Sequence, residues 1–129
     1  MNNLLLAFVC SALLVACQKE DPLSDDRDKF LGTWNMNSNG SQSGHLAFTM
    51  EVIAGNSSPA QVIMKNFDFQ GTNTNTIADV DGNSLSISPQ LINGDTIEGT
   101  GSYSNSQLTF NYTVRDGITT DVVTATGTR

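Results

Sequence analysis

The chain of 129 residues contains one histidine, His45, and two cysteines, Cys10 and Cys17. A serine nucleophile needs a neighbouring imidazole, and a catalytic cysteine needs a free thiol beside a histidine. Both cysteines fall in or at the end of the N-terminal apolar run 4–16, so neither arrangement can be assembled downstream. His45 opens an alternating run and reads as a strand-edge surface residue. A carboxylate pair of the glycosidase kind needs two acids facing one cleft. Glu51, Asp68, Glu98 and Asp121 are available, but their spacing does not bring them together, and Glu51 and Glu98 occupy outward strand positions. Asp79-Val80-Asp81-Gly82-Asn83 places oxygen ligands at alternate positions, as a calcium loop does. Ser84 stands where the loop glycine belongs and Gln90 where the bidentate glutamate belongs, so a hairpin turn is the simpler reading. No metal, cofactor or enzymatic activity is expected. The groups left for function are aromatic: Phe48, Tyr103, Phe110 and Tyr112 as walls of an interior, with Trp34 as a structural or lining residue. Phe67 and Phe69 share one parity around Asp68, forming an exposed pair if that face is outward and core if it is inward.

The elements that position these residues must come from one domain, because the length allows a single core. The formal charge is −7 with six Lys and Arg, and every charged side chain follows residue 16. Lys19, Arg27, Lys29, Lys65, Arg115 and Arg129 are scattered, which excludes the clustered cations that nucleic acid binding requires. The acidic balance favours a soluble monomer and disfavours lying flat on an anionic membrane.

Residues 4–16 are too short to cross a bilayer and suit a signal-peptide core. The run ends in Leu14-Val15-Ala16-Cys17, which resembles the bacterial lipobox. That resemblance implies cleavage before Cys17, attachment of diacylglycerol to its thiol and acylation of its freed amine, giving the two or more chains that a stable anchor needs. Residues 1–16 are then a lipoprotein signal peptide, despite an n-region without Lys or Arg. Gln18-Lys19-Glu20-Asp21 resembles the surface-export signal on lipoproteins of bacteroidete-type bacteria, which implies display on the outer membrane. Residues 17–28, with Pro22, Ser24 and carboxylates at 20, 21, 25, 26 and 28, read as a lipidated flexible tether.

From residue 29 onward the pattern is two-residue alternation broken by turn signals. Leu46, Phe48, Met50 and Val52 share one face, and Leu108, Phe110, Tyr112 and Val114 repeat the arrangement. Each strand therefore has one dry and one wet face. Asp81-Gly82, Asn93-Gly94 and Asp116-Gly117 supply the positive φ of tight hairpins, and Asn105-Ser106 is a weaker fourth signal. The expected strands are 30–37, 44–54, 60–68, 75–81, 84–88, 90–93, 95–104, 107–115 and 118–127. About eight strands in sequence order predict an all-β antiparallel up-and-down meander closing into a small barrel, since closure removes exposed edges. Gly99 and Gly101 fall at inward positions where a strand bends sharply.

Lys29-Phe30-Leu31-Gly32-Thr33-Trp34 resembles the opening of lipocalin-like domains, whose Gly-x-Trp lays an indole across one barrel end. The resemblance implies a basic partner for Trp34 from the end of the barrel, and Arg129 is the one late candidate. The stretch from Phe30 to Arg129 also resembles small lipocalin-like lipoproteins of bacteroidetes. Residues 29–129 are thus expected to be a lipocalin-like barrel that binds a small hydrophobic ligand without catalysis, tethered to the bilayer through acylated Cys17. The alternative is a surface interaction module for a protein or glycan, an inhibitor or an accessory subunit. A carrier predicts a cavity of at least a few hundred cubic ångströms, and an interaction module predicts a filled barrel with an exposed apolar patch.

Overall fold

A computed structural model describes residues 26–129. The expected signal peptide (1–16), Cys17 and most of the expected tether (17–28) lie outside the described residues. Eight strands follow one another, β1 (Gly32–Gly40), β2 (Gly44–Ala54), β3 (Gln61–Lys65), β4 (Asn75–Asp81), β5 (Ser84–Ile92), β6 (Asp95–Ser104), β7 (Gln107–Arg115) and β8 (Thr120–Thr128). Each pairs antiparallel with its sequence neighbour, and β1 closes on β8 from Asn35↔Thr128 to Gly40↔Val123. The expected up-and-down barrel is the fold. Closure of β1 on β8 leaves the sheet without a free first or last strand.

Turn chemistry sets the hairpins. Asn93 and Gly94 both take positive φ (51° and 87°), as do Asn105 and Ser106 (51° and 62°). These are two-residue turns between the Ile92↔Asp95 and Ser104↔Gln107 pairs, whose twist matches the flanking strands. Asp116 holds the longer β7–β8 turn by accepting the Ile118 and Thr119 amides at 2.8 and 2.7 Å. Hydrogen bonds from Thr119 and Ile118 keep its carboxyl below the usual range.

Alternation places Trp34, Met36, Met50, Val52, Val62, Met64, Leu85, Ile97, Leu108 and Phe110 inside, all nearly or fully buried. Phe110 needs a bare neighbour: a Cβ on Gly101 would lie 2.6 Å from its ring, and one on Gly99 would strike the Asn111 carbonyl. Both glycines therefore serve close packing at the inward positions expected of them.

Three boundaries differ from the sequence expectation. β1 starts at Gly32, because Phe30 belongs to a helical turn closed by its amide bonding to Arg27 O at 3.0 Å. The strand expected over 60–68 stops at Lys65 and gives way to a short 3₁₀ turn, Phe67–Phe69. Segments 84–88 and 90–93 are one strand with a bulge between Ile87 and Gln90, where Pro89 has no amide to give to a ladder.

Candidate functional site

The two ends of the barrel differ. At one end the chain enters through residues 26–31, and Trp34 closes the interior. Its Nε1 donates to Phe30 O at 2.9 Å, and Tyr103 meets the indole edge-on with centroids 6.3 Å apart. The Arg129 guanidinium lies 4.2 Å from the indole centroid, and its two terminal nitrogens donate to the carbonyls of Leu31 and Lys29. The partner expected for Trp34 is thus in place, joining the last residue to the first strand by a cation–π contact and a fork of hydrogen bonds. Arg27, placed in the tether by sequence, donates to the carbonyls of Gly55, Ser58 and Gln61 on the same end. This end is sealed.

The opposite end is closed by the β3–β4 connection. Three non-glycine residues of that connection, Asn66, Asp68 and Phe69, take left-handed φ of 60°, 56° and 59°, a conformation that stores backbone strain unless its surroundings impose it. Asn66 imposes it here, donating from Nδ2 to Thr49 O and accepting the Gly71 amide, both at 2.8 Å. The turn reverses the chain so that Phe67 points into the barrel and Phe69 out of it. Phe67 is fully buried, with its ring centroid 5.3 Å from Phe110 and 4.6 Å from Tyr112. Phe69 is 63% exposed and leans toward Phe48 at 6.4 Å. The expected shared parity of these two phenylalanines is corrected: the left-handed residues break the strand, so one is core and the other surface.

A polar group accompanies Phe67 inside. The Tyr112 hydroxyl donates to Asp68 Oδ1 at 2.7 Å. Burial raises the Asp68 carboxyl above its ordinary value, against the hydrogen bonds from Tyr112 and Gln70, and the charges of Asp121 and Asp95 push in the same direction as burial. Burial, then the Asp68 charge, pushes the Tyr112 phenol far above the tyrosine range. Asp121 behaves oppositely. Its desolvation is outweighed by hydrogen bonds from Ser43, Gln42 and Ser41, and its carboxyl is held low. Two hydroxyls on the inner wall, Ser38 and Thr76, are completely buried and have no hydrogen-bond partner. Ser38 Oγ adjoins the Tyr112 hydroxyl without the geometry of a bond.

Of the four carboxylates considered for paired chemistry, Glu51 is exposed on the outer wall and Glu98 is partly exposed there, paired with Arg115 at 2.8 Å. Asp68 and Asp121 sit at the same end but are engaged separately, with Tyr112 and with the β1–β2 turn. Among the described residues, no three His, Cys, Asp or Glu side chains cluster as a metal site. Asp79 and Asp81 are exposed on β4, and Gly82 turns the hairpin with φ 60°. His45 is exposed near the start of β2.

Of the residues expected to line the interior, Phe48, Phe110 and Tyr112 gather around the Phe67 end, while Trp34 and Tyr103 pack together at the sealed end. The sequence reading missed Phe67 as an insert, and missed Ser38 and Thr76. Their signal was present as polar residues at inward parity, Ser38 after Trp34 and Met36, and Thr76 before Ala78 and Val80. The larger hollows among the described residues lie on the outer wall, such as one of about 390 Å³ floored by Ser84, Ser86, Thr100 and Asn111. The upper interior itself is occupied by Phe67.

No family model and no curated protein matches the chain. Solved structures do. A redesigned β-barrel, b11L5F_LGL, aligns with a TM-score of 0.55 at 16% identity, covering 81% of this chain and 94% of that one. EF1p2_mFAP2b bound to DFHBI gives 0.55 at 16%, covering 83% and 98%. The redesigned barrel mFAP1 bound to DFHBI gives 0.53 at 16%, covering 81% and 98%. At this identity the likeness is one of fold: the chain is a closed eight-stranded antiparallel barrel of the same architecture as these proteins.

Proposed function

We propose that this barrel is a non-catalytic binding module that takes a small hydrophobic ligand into its upper interior, in place of Phe67. One observation carries the reading: the side chain filling that interior comes from a strained connection, whereas the rest of the wall comes from strands. Burying a phenylalanine is worth about 2–3 kcal/mol, so expelling it lowers ligand affinity by roughly 30- to 150-fold relative to an open pocket. The interior is filled, unlike the open cavity expected of a carrier, and on this reading space for a ligand forms only when Phe67 leaves. That two barrels of this architecture hold DFHBI supports the capacity of the fold to admit a ligand.

The sequence supports lipid attachment at Cys17 and outer-membrane display, within a lipocalin-like lineage. Among the described residues the chain enters the barrel at the sealed end, opposite the Phe67 connection.

A second reading rests on Phe69, Ile77 and Leu91, which are 63, 43 and 71% exposed and offer apolar contacts to a partner protein. The two separate in one titration of residues 26–129 with 2-naphthol, followed by two-dimensional NMR. Ligand entry shifts Phe67, Asp68 and Tyr112, and Phe67→Ala tightens binding by ten-fold or more. Shifts confined to Phe69, Ile77 and Leu91, or no binding to either protein, would overturn the interior site in favour of the surface.

A further inference from the structure

Resting on the interior site just proposed, we infer that the site selects an uncharged or cationic ring compound bearing a hydroxyl or amine, and rejects carboxylates such as fatty acids. The ring preference follows from what stands there now. Phe67 meets the Phe110 ring edge-to-face at 68° and the Tyr112 ring at a tilt of 49°, so an incoming aromatic ring replaces like with like and keeps ring contacts of the kind such pairs favour.

The hydroxyl or amine follows from the orphan groups. Ser38 on β1 and Thr76 on β4 are both 0% exposed at inward-facing positions, and neither hydroxyl has a partner. A buried hydroxyl without a hydrogen bond is costly, and a native structure that keeps two facing one interior calls for an explanation. A polar substituent on the ligand satisfies them when the Phe67 ring, which cannot, has moved aside.

The charge preference follows from the acids around the same end. Asp68 accepts Tyr112 at 2.7 Å, and Asp95 and Asp121 are near enough to act on its charge. The basic groups toward this end are turned elsewhere. Arg115 is paired with Glu98 on the outer wall at 2.8 Å, Lys65 borders an outer groove, and His45 is exposed on β2. A carboxylate entering would meet Asp68 with no cation to offset it, whereas an ammonium or hydroxyl finds an acceptor.

The test is a matched series on one ring: 2-naphthol, 2-naphthylmethylammonium and 2-naphthoate, titrated calorimetrically into residues 26–129 at pH 7. The naphthol and the ammonium are expected to bind at least ten-fold more tightly than the naphthoate. Asp68→Asn should narrow that gap to less than three-fold, and Ser38→Ala with Thr76→Val should weaken the naphthol without affecting unsubstituted naphthalene. Naphthoate binding as tightly as its partners to the wild-type barrel would overturn the selectivity and leave the interior site standing. Failure of all three compounds to bind wild type and Phe67→Ala would remove the interior site, and the selectivity with it.

Discussion

At the residue scale, Asp68 carries the most physical tension in the molecule. Its backbone is left-handed, its carboxyl is half-buried, and its main partner is a neutral phenol instead of a cation. Burial raises its carboxyl above the usual value of 3.8, and the Tyr112 bond does not fully offset it. The sign of the consequence is set by linkage: where the folded state binds more protons than the unfolded chain, stability falls as pH rises. Asp68 therefore favours the fold below the ordinary aspartate range and opposes it progressively as pH climbs through the raised value. Asp121 and Asp116, held low, work in the opposite direction and lose their contribution on acidification. Asp68→Asn isolates the first effect. Its urea stability relative to wild type should be more favourable at pH 7 than at pH 4, and an equal difference at both values would mean that burial does not perturb the carboxyl.

At the element scale, the shortest ladder of the ring is β4 against β5. Their ladder has only the three pairs Asp79↔Ser86, Val80↔Leu85 and Asp81↔Ser84, because the bulge at Pro89 carries β5 away. Above it the Gln90 carboxamide substitutes for a strand, accepting the Ile77 amide and donating to the Ile77 carbonyl, both at 2.8 Å. One side chain thus performs both halves of a backbone pair. Replacing it with alanine leaves Ile77 to solvent at a partly exposed position, a loss of about 1–2 kcal/mol. The expected signature is local: hydrogen exchange at the Ile77 amide should quicken by ten-fold or more in Gln90→Ala, with Val80 on the paired part of β4 unchanged. Equal acceleration at both amides would show that the seam opens only with the whole barrel. This seam adjoins the exposed Ile77 and Leu91 and, through the Asn93 hydrogen bond to Gln70, the Phe67 connection.

At the scale of the whole molecule, the fold is polar in the geometric sense. One end is locked by Trp34, Arg129 and the Arg27 turn, and the other is stoppered by a connection. The described residues contain no cysteine, so the unit depends on packing and ring closure. Lipid attachment at Cys17, expected from the sequence, is tested separately. Metabolic labelling with an alkyne fatty acid in a lipoprotein-processing bacterium should tag the wild-type chain and recover it with membranes. Cys17→Ser should lose both properties, and retention of the label or of membrane association by that variant would exclude the anchor.

The period of two along Leu46–Val52 and Leu108–Val114, with Asp81-Gly82, Asn93-Gly94 and Asp116-Gly117 between runs and Asn105-Ser106 as a weaker signal, pointed to about eight antiparallel strands in order, and hence to the barrel. Both signals are local: side chains alternate across a strand whatever lies opposite, and positive φ is a property of the turn residues themselves. Trp34 and Arg129 were also legible, though only as an expectation from family resemblance, since nothing local joins positions so far apart in the chain. What required the tertiary structure was everything decided by a break in alternation. Lys65 to Phe69 reads as a continuing strand, but Asn66 finds Thr49 and Gly71, turns the chain left-handed and sends Phe67 alone into the barrel. Pro89 separates two strands in the sequence pattern, yet Gln90 reaches back to Ile77 and the strand continues. Ser38 and Thr76 look unremarkable until closure of the ring seals them from water without partners. Strand identity is set by neighbours in sequence, whereas the contents of the barrel are set by which residues closure brings face to face.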